Sequence, residues 1–446
     1  MSLLRKGTIT RRGAKKQWFA ENLFEASFIS DKPDNILKSK LWTRNNVNLR
    51  VKGNITATPT FKWKTDLGSP YLYPLQQPIV ADIDKDGTCE IVLVRWYSGH
   101  AWLCCFNAET GVLKWVTSDI PELSVKRLSA FDIDQDGFIE ILCPAPTAGA
   151  NQGLWCFKHD GTVKWKSNID TMYSVACYDI DSDGQIELIV AGEDTIYCYN
   201  NKGEVEWSKP ITQPTTVIVA DINNDGLPEI VTHTYTSASP GYIHYLDYKG
   251  DILKTITIQR GSIYPLCVYD VNNDGKMEVL YYARYTAGIP TTQNIGLLDS
   301  DGNTLWTYDT GYGLDIHQAA IYDVDGDGYA EIFIAGKYTG AGEFLAFKYD
   351  GTLLWSYSVP EGQTEAGVVL ADINGDGKLE AIFISRLGII YCFNAATGDL
   401  LWTFNNVGIM FYNVAVADVD KDGLAEIIYG GGDDSGNNWF RLACLE

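Results

Sequence analysis

Residues 82–90 read Asp82-Ile83-Asp84-Lys85-Asp86-Gly87-Thr88-Cys89-Glu90, and this D-x-[DN]-x-D-G-x-x-E motif occurs eight times in the 446-residue chain. A motif that returns every 42 to 53 residues indicates a repeat architecture. One unit of that size cannot bury a core alone, so neighbouring units must pack on each other. The eight copies begin at Asp82, Asp132, Asp179, Asp221, Asp270, Asp323, Asp372 and Asp418.

Each repeat contains four predicted β-strands. Apolar runs lie before and after the motif, a third run follows, and a Gly-containing turn leads to a fourth strand with a Trp, as in residues 161–165 and 351–355. Short β-rich runs separated by Asp-Gly and Thr-Gly turns are typical of hairpins. Four strands in about 48 residues are the size of one propeller blade. The sequence therefore predicts an all-β, eight-bladed β-propeller of four-stranded blades.

The two ends of the chain predict how the ring closes. The last repeat stops after its third strand, at residues 439–446, whereas residues 59–63 match a fourth strand that no repeat precedes. This N-terminal strand is expected to complete the eighth blade, because closure removes exposed sheet edges. We predict an N-terminal arm over residues 1–55 and a propeller over residues 56–446.

The motif predicts a metal site in each repeat. Carboxylates at alternate positions of a tight loop point at one centre, the Gly permits the sharp turn, and hard oxygen ligands suit Ca²⁺ better than Mg²⁺, which keeps several waters. A single copy reads equally as an acidic turn, but eight copies in register favour up to eight Ca²⁺ ions. The predicted ligands, with the residue at motif position 7 contributing its carbonyl, are Asp82, Asp84, Asp86, Thr88, Glu90, Asp132, Asp134, Asp136, Phe138, Glu140, Asp179, Asp181, Asp183, Gln185, Glu187, Asp221, Asn223, Asp225, Leu227, Glu229, Asp270, Asn272, Asp274, Lys276, Glu278, Asp323, Asp325, Asp327, Tyr329, Glu331, Asp372, Asn374, Asp376, Lys378, Glu380, Asp418, Asp420, Asp422, Leu424 and Glu426.

Most of the acidity of the chain belongs to these motifs. They hold 29 of the 57 Asp and Glu residues, and eight bound Ca²⁺ ions would bring the formal net charge from −22 to −6. This distribution argues against nucleic acid as the main partner. Three copies carry Asn at position 3 and are expected to bind more weakly, because they have less charge: Asn223, Asn272 and Asn374.

The sequence shows no apolar run long enough for a transmembrane helix. Residues 1–16 are basic, but no apolar segment of a signal peptide follows them. Calcium sites nevertheless favour an extracellular, cell-surface or virion location. A non-standard export route or release by lysis would reconcile the two observations.

Cysteine and tryptophan recur at fixed places in the repeat. Five of the ten cysteines fall at a position where other repeats have Tyr245, Leu297 or Ala346, which predicts buried free thiols: Cys105, Cys156, Cys198, Cys392 and Cys444. Neighbouring Cys104 and Cys105 are expected to face opposite sides of a strand, which disfavours a disulfide. The fourth-strand Trp, replaced by Lys254 in one repeat, is expected to pack between blades.

The calcium loops resemble the FG-GAP repeats of integrin alpha-subunit propellers and of many bacterial and archaeal surface proteins. The resemblance covers residues 56–446 and implies a calcium-binding propeller, although integrin propellers have seven blades. Rhamnogalacturonan lyases resemble the chain in having an eight-bladed, calcium-rich propeller. The hairpins at residues 105–115 and 392–402 resemble the tryptophan-docking motif of quinoprotein dehydrogenases, but no quinone site is visible in the sequence.

A partner is expected on the face opposite the calcium loops, where the loops vary in length. Tyr264, His317 and Asn413 are expected near the entrance of the central channel. Basic and aromatic side chains recur after the second strands and suit an anionic glycan or an acidic protein surface. The alternative is that they form salt bridges at loop bases. The predicted ligand-binding residues are Arg95, Trp96, Tyr97, Arg284, Tyr285, Lys337, Tyr338 and Arg386.

Three functions are compatible with these features. The first is a calcium-stabilised recognition or adhesion propeller that binds a glycan or protein surface. The second is a structural subunit of a surface filament, layer or virion, which self-assembles through its apolar N-terminal arm. The third is a polysaccharide lyase, but no catalytic constellation stands out among only five His residues, so no catalytic residue is predicted.

Overall fold

The computed structural model describes residues 28–29, 47–52, 55–56, 58–67, 73–74, 78–97, 100–118, 120–121, 128–145, 152–169, 172–236, 240–283, 295–310, 319–336, 342–360, 367–385, 388–405, 414–432 and 440–446. All regular elements in these ranges are β-strands. Within the same ranges, no helix is long and apolar enough to cross a membrane.

Eight sheets follow one another along the chain, and each has four main antiparallel strands, which are in sequence order in every sheet but the eighth. We number the sheets as blades 1–8 after their motifs. The first strands are Ile79–Ala81, Ser129–Phe131, Ser174–Tyr178, Val217–Ala220, Ile263–Tyr269, Ala319–Tyr322, Val368–Asp372 and Val414–Ala417. The second strands are Glu90–Tyr97, Glu140–Ala145, Glu187–Ala191, Glu229–Thr234, Glu278–Ala283, Glu331–Gly336, Glu380–Ile384 and Glu426–Gly432.

The outer half of each blade is a second hairpin. The third strands are His100–Asn107, Gly153–Phe157, Thr195–Tyr199, Gly241–Leu246, Ile295–Leu298, Gly342–Phe347, Ile389–Asn394 and Phe440–Leu445. The fourth strands are Leu113–Val116, Val163–Ser167, Val205–Pro210, Ile252–Ile258, Thr304–Tyr308, Leu353–Val359, Leu400–Asn405 and, for blade 8, Phe61–Asp66. The short strands Tyr73–Pro74 and Ile120–Pro121 extend blade 1.

The blades form a closed ring. First strands of consecutive blades lie next to each other from blade 2 to blade 8, and the first strand of blade 8 lies next to that of blade 1. First strands therefore surround the central channel. Phe61–Asp66 pairs antiparallel with Phe440–Leu445, and Trp63 stands opposite Cys444. The predicted eight-bladed all-β propeller, closed by a strand from the N-terminal end, is confirmed.

Part of the N-terminal arm lies at the centre of this ring. Val47–Lys52 pairs in parallel with the first strand of blade 7, and Phe28–Ile29 pairs in parallel with Val47–Lys52. Val47–Lys52 also lies against the first strands of blades 6 and 8. The backbone N–H of Ile55 then donates to the carbonyl of Ile373 at 2.8 Å. The described parts of the arm thus pack on their own propeller.

The hydrophobic core lies between blades. Each buried cluster combines side chains of neighbouring blades, as in the cluster that joins Ile218 and Val231 of blade 4 to Val268 and Val279 of blade 5. All ten cysteines fall in the described part of the chain, and all are buried and free, which confirms the prediction made for the five of the repeat position. The five cysteines of the repeat position each stand opposite a fourth-strand Trp, as Cys156 stands opposite Trp165.

The fourth-strand tryptophans join each blade to the next, which confirms their predicted packing role. The indole Nε1 of Trp115 donates to the carbonyl of His159 at 2.9 Å. A Cβ on Gly161 in that turn would lie 2.7 Å from the Trp115 ring, and the φ of Gly161 is +80°, so the turn requires Gly. Lys254 replaces a Trp and donates instead to the carbonyl of Asp301.

Trp402 is the exception, because the next blade is the one in which the two chain ends meet. Its side chain is buried, and its Nε1 lacks a hydrogen-bond partner among the described residues. We expect Trp115→Phe to destabilise the fold by about 1–3 kcal/mol more than Trp402→Phe. Only the first change removes a hydrogen bond and leaves the carbonyl of His159 without its donor. Urea unfolding of both variants measures the difference, and equal losses would contradict it.

Candidate metal sites and the opposite face

All eight motif loops lie at one face of the ring. Each loop follows a first strand, and the motif Glu is the first residue of the second strand in every blade. Two loop positions adopt the left-handed conformation. Position 4 has a φ of 61° at Lys85, and the Gly at position 6 has a φ of 90° at Gly87. The two left-handed residues curl the backbone so that its N–H groups point at the motif side chains.

One oxygen of each motif carboxylate is held by the loop backbone. In blade 1, the N–H of Gly87 donates to Asp82 Oδ2 at 3.1 Å, and that of Ile83 donates to Glu90 Oε2 at 3.0 Å. Asp84 Oδ1 and Asp86 Oδ1 accept N–H groups from positions 5 and 7. The bonds from positions 6 and 2 to the Asp at position 1 and the Glu at position 9 recur in all eight blades.

Oxygens of the motif carboxylates converge in five of the loops. In blades 1, 2, 3, 6 and 8, one oxygen from each of three motif carboxylates lies within 4.8 Å of the others. In five blades, the free oxygen of position 1 is buried and has no hydrogen-bond partner in the described part of the chain: Asp82, Asp132, Asp179, Asp372 and Asp418. A buried, unpaired carboxylate oxygen is costly. These oxygens therefore fit a bound cation, and an all-oxygen set of this density suits Ca²⁺.

Burial also raises the pKa of the motif glutamates. Burial, opposed by the hydrogen bond from Ile180, raises the pKa of Glu187 to about 8. Burial likewise raises the pKa of Glu380 to about 8 and that of Glu331 to about 7. A cation bound beside these glutamates would favour their ionised form.

Among the described residues, a recurring backbone hydrogen bond joins neighbouring loops at three junctions. The N–H at motif position 8 donates to the carbonyl at position 2 of the preceding blade in the pairs Ile139–Ile83, Met277–Ile222 and Ala330–Val271, at 2.8 to 3.0 Å. Blade 4 has Pro228 at position 8, which has no N–H to donate. Because position 2 also donates to the motif Glu, these bonds connect one motif loop to the next.

Three blades place a lysine among the motif carboxylates. Lys114 precedes the fourth-strand Trp, and its Nζ lies 2.8 Å from Asp84 Oδ2, 3.0 Å from Asp86 Oδ2 and 2.7 Å from Glu90 Oε1. Burial opposes its charge, but these hydrogen bonds outweigh that effect and raise the pKa of Lys114. Lys164 of blade 2 contacts Asp134 and, at 3.0 Å, Glu140.

Blade 8 repeats this arrangement with a residue from the opposite end of the chain. Lys62 lies on the strand that closes the ring, and its Nζ is 2.6 Å from Asp420 Oδ2 and 3.2 Å from Glu426 Oε1. The other blades have Glu206, Leu253, Leu305, Leu354 and Leu401 at this position.

In the three Asn-containing loops, the motif Glu accepts a hydrogen bond from the Asn side chain and has no lysine contact among the described residues. In blade 4, Asn223 Nδ2 donates to Glu229 Oε1 at 2.8 Å, while Asn223 Oδ1 accepts the N–H of Asp225. The same amide–glutamate bond occurs in blade 7 between Asn374 and Glu380 at 2.8 Å, and in blade 5 at 3.3 Å. Blades 3 and 6 have neither Lys nor Asn at these places.

Sequence reasoning identified the motif residues but missed Lys62, Lys114, Lys164 and Glu206. Lys114 follows Glu90 by 24 positions, so no local pattern links them. Aligning the eight repeats on the fourth-strand Trp would have shown that the residue before it varies between Lys, Glu and Leu. That variation is the only signal for these side chains in the sequence.

The predicted basic and aromatic patch is described only in part. Arg95 Nη1 donates to the carbonyl of Leu67 at 3.0 Å, and the guanidinium lies over the Trp102 ring. Trp96 and Tyr97 end the second strand of blade 1, and their side chains are outside the described set. The remaining predicted residues also lie outside the described ranges: Arg284, Tyr285, Lys337, Tyr338, Arg386, His317 and Asn413.

An aromatic cluster occupies the face opposite the motif loops at blades 4 and 5. Tyr264, at the start of a first strand, stacks on Tyr282 with ring centroids 5.1 Å apart. Its ring also meets His233 at 5.0 Å and Tyr235 at 6.2 Å. Tyr235 and Tyr264 are half-buried, whereas Tyr282 is buried. We call Tyr235, Tyr264 and Tyr282 the tyrosine cluster.

The chain is similar to known propellers. The family model of the lambda-carrageenase beta-propeller domain matches residues 153–264 and 332–440. No curated protein matches at a significant level. The V. cholerae biofilm matrix protein Bap1 has 16% identity and a TM-score of 0.63, covering 87% of this chain and 91% of that chain. The quinohemoprotein alcohol dehydrogenase from Comamonas testosteroni has 10% identity and a TM-score of 0.58, covering 97% and 84%. At these identities, the solved structures show the propeller fold alone.

Proposed function

We propose that this protein is an extracellular, calcium-stabilised recognition propeller that binds a glycan or protein surface on the face opposite its calcium loops. Ca²⁺ would be held by the free oxygens of the eight motifs. The loop backbone orients those carboxylates before an ion arrives, which favours binding. The ions would then stiffen one face of the ring and leave the other face for a partner.

The tyrosine cluster is the observation that carries the recognition role. Aromatic rings with one exposed part can stack on the apolar faces of sugars or on partner side chains. The cluster lies at loop bases near the central channel, on a rigid scaffold, where binding residues are common in repeat folds. Its rings support one another, so little conformational entropy is lost on binding.

A polysaccharide-cleaving enzyme is the second candidate, because the matched family model describes a lambda-carrageenase domain. A structural role in a surface layer, filament or virion is the third candidate. It would use the N-terminal arm, of which the described parts pack on their own propeller.

The test is binding of the purified protein to an array of neutral and acidic glycans, including lambda-carrageenan, with calcium present throughout. We expect binding without cleavage, and a loss of about tenfold or more in affinity for Tyr235→Ala and Tyr264→Ala. Tyr248→Ala is the matched control, because Tyr248 is a half-buried tyrosine at the turn between the third and fourth strands of blade 4, outside the motif loops and the tyrosine cluster. Cleaved glycans in the eluate would replace the proposal with the enzyme. Absence of binding to every glycan would contradict glycan recognition and turn attention to assembly.

A further inference from the structure

We propose that Lys62, Lys114 and Lys164 are tethered cations that hold the motif loops of blades 8, 1 and 2 without metal and weaken calcium binding there, so that the calcium dependence of the ring rests on blades 3–7. The inference concerns this chain's own side chains and rests on the proposed calcium sites. It divides the eight motifs into lysine sites in blades 8, 1 and 2 and lysine-free sites in blades 3–7. Removing a lysine should tighten calcium binding at a site of the first class, and adding one should weaken it at a site of the second.

The geometry places the ammonium groups where a cation is needed. In blade 1, the Nζ of Lys114 contacts the inward-facing oxygens of motif positions 3, 5 and 9 at 2.7 to 3.0 Å. These are the oxygens that the loop backbone leaves free. Glu90 is fully buried and Lys114 is only 26% exposed, so solvent screens the contact less than a surface ion pair.

The formal charge of each of the eight sites depends on two positions, motif position 3 and the residue before the fourth-strand Trp or its equivalent Lys254. Blades 8, 1 and 2 combine four motif carboxylates with one ammonium, which gives the same formal charge as the three carboxylates of blades 4, 5 and 7. Blade 6 keeps four carboxylates beside a neutral Leu354. Blade 3 adds a fifth carboxylate, Glu206, whose pKa is raised by burial and by the nearby charges of Asp181 and Asp183.

The physical consequence is a difference in both metal affinity and metal-free stability. A divalent ion entering a lysine site must displace the ammonium or remain close to it, and two positive charges at short distance repel strongly. Blade 3 offers Ca²⁺ the largest negative charge and is expected to bind it most tightly. In metal-free protein, the lysine sites are already neutralised in part, whereas blades 3 and 6 are not.

The position of these blades suggests that the three lysines help to close the ring. Blades 8, 1 and 2 are consecutive and include the place where the two chain ends meet. Lys62 comes from the N-terminal closing strand and contacts carboxylates of the C-terminal blade. The ring can therefore close before any calcium binds. Calcium would then stabilise blades 3–7.

The experiment compares the triple variant Lys62→Leu/Lys114→Leu/Lys164→Leu with the natural protein, since blades 4–7 carry Leu at this place. Equilibrium dialysis against ⁴⁵Ca²⁺ counts the sites in each affinity class. We expect three sites to move into the tight class, each tightened about tenfold or more. In chelator, the same variant should lose on the order of 5 °C in melting temperature. Leu354→Lys should do the reverse, weakening one site.

Two further variants make the outcome decisive. Lys202→Leu, at an exposed turn of blade 3, is the control and should change neither readout. Glu206→Leu should weaken one tight site. If the triple variant lost stability equally with and without calcium, and its site classes stayed as before, the lysines would be ordinary ion pairs and the inference would be wrong. If the natural protein bound no calcium, the proposed metal sites themselves would fail, whatever the lysine variants did.

Discussion

Chelation of calcium is expected to lower the melting temperature of this protein by about 20 °C. Each ion at a hundredfold excess over its Kd contributes about 2.7 kcal/mol, and several sites act together in a fold whose unfolding entropy is about 2 cal/mol/K per residue. The buried, unpaired oxygens of Asp179 in blade 3 and Asp372 in blade 7 are the reason, since neither blade has a lysine before its fourth-strand Trp to act as a counter-charge once the ion leaves. Tryptophan fluorescence during heating, with and without EDTA, measures the shift.

The control is the addition of calcium or of magnesium after chelation. Calcium should restore the original melt, whereas magnesium should restore little of it, because Mg²⁺ keeps waters that the enclosed loops cannot accommodate. A melting temperature that EDTA leaves unchanged would contradict the calcium proposal. Full recovery with magnesium would mean that the loops hold a smaller, octahedral ion.

Deletion of residues 1–66 is expected to open the ring and to drive the protein into aggregates. The change removes the closing strand Phe61–Asp66 and exposes the edge of Phe440–Leu445. It also removes the indole bond of Trp63 to Ala108 and the contacts of Lys62 with Asp420 and Glu426. Size-exclusion chromatography of freshly purified protein measures the loss of monomer.

Two controls separate closure from the effect of simple truncation. Deleting residues 1–46 keeps both Val47–Lys52 and the closing strand, so the protein should remain folded. A synthetic peptide of residues 58–67, added to the 67–446 chain, should restore a monomer by filling the vacated strand position, and a scrambled peptide should not. A 67–446 chain as stable as the full chain would rule out closure by this strand.

The fold was predictable because its rules are local and repeated. The first and second strands are set by apolar runs around each motif, and Gly161 and its equivalents mark the turn before each fourth strand. Ring closure was predictable from a missing strand at one end of the chain and a surplus strand at the other. The burial of Cys156 was predictable from its place in the repeat, whereas its position opposite Trp165 is seen only in the structure.

The lysine and Glu206 positions were not predictable in the same way. Their side chains reach the motif of their own blade across the third strand, and in blade 8 Lys62 and Glu426 come from opposite ends of the chain. The placement of Val47–Lys52 in parallel with the first strand of blade 7 also escaped prediction, because a parallel pair so distant in sequence leaves no turn signal. The tyrosine cluster likewise depends on contacts between blades 4 and 5.

The most direct test of the calcium-stabilised propeller is the number of calcium ions that one protein molecule holds. The protein would be dialysed against 2 mM CaCl₂ and then against metal-free buffer, and its metals counted by native mass spectrometry before and after. We predict about eight calcium ions per chain at first and about five after brief dialysis, because the three lysine sites should empty first. A chain that carries no calcium under the first condition, yet is folded, would contradict calcium as the ligand of these loops.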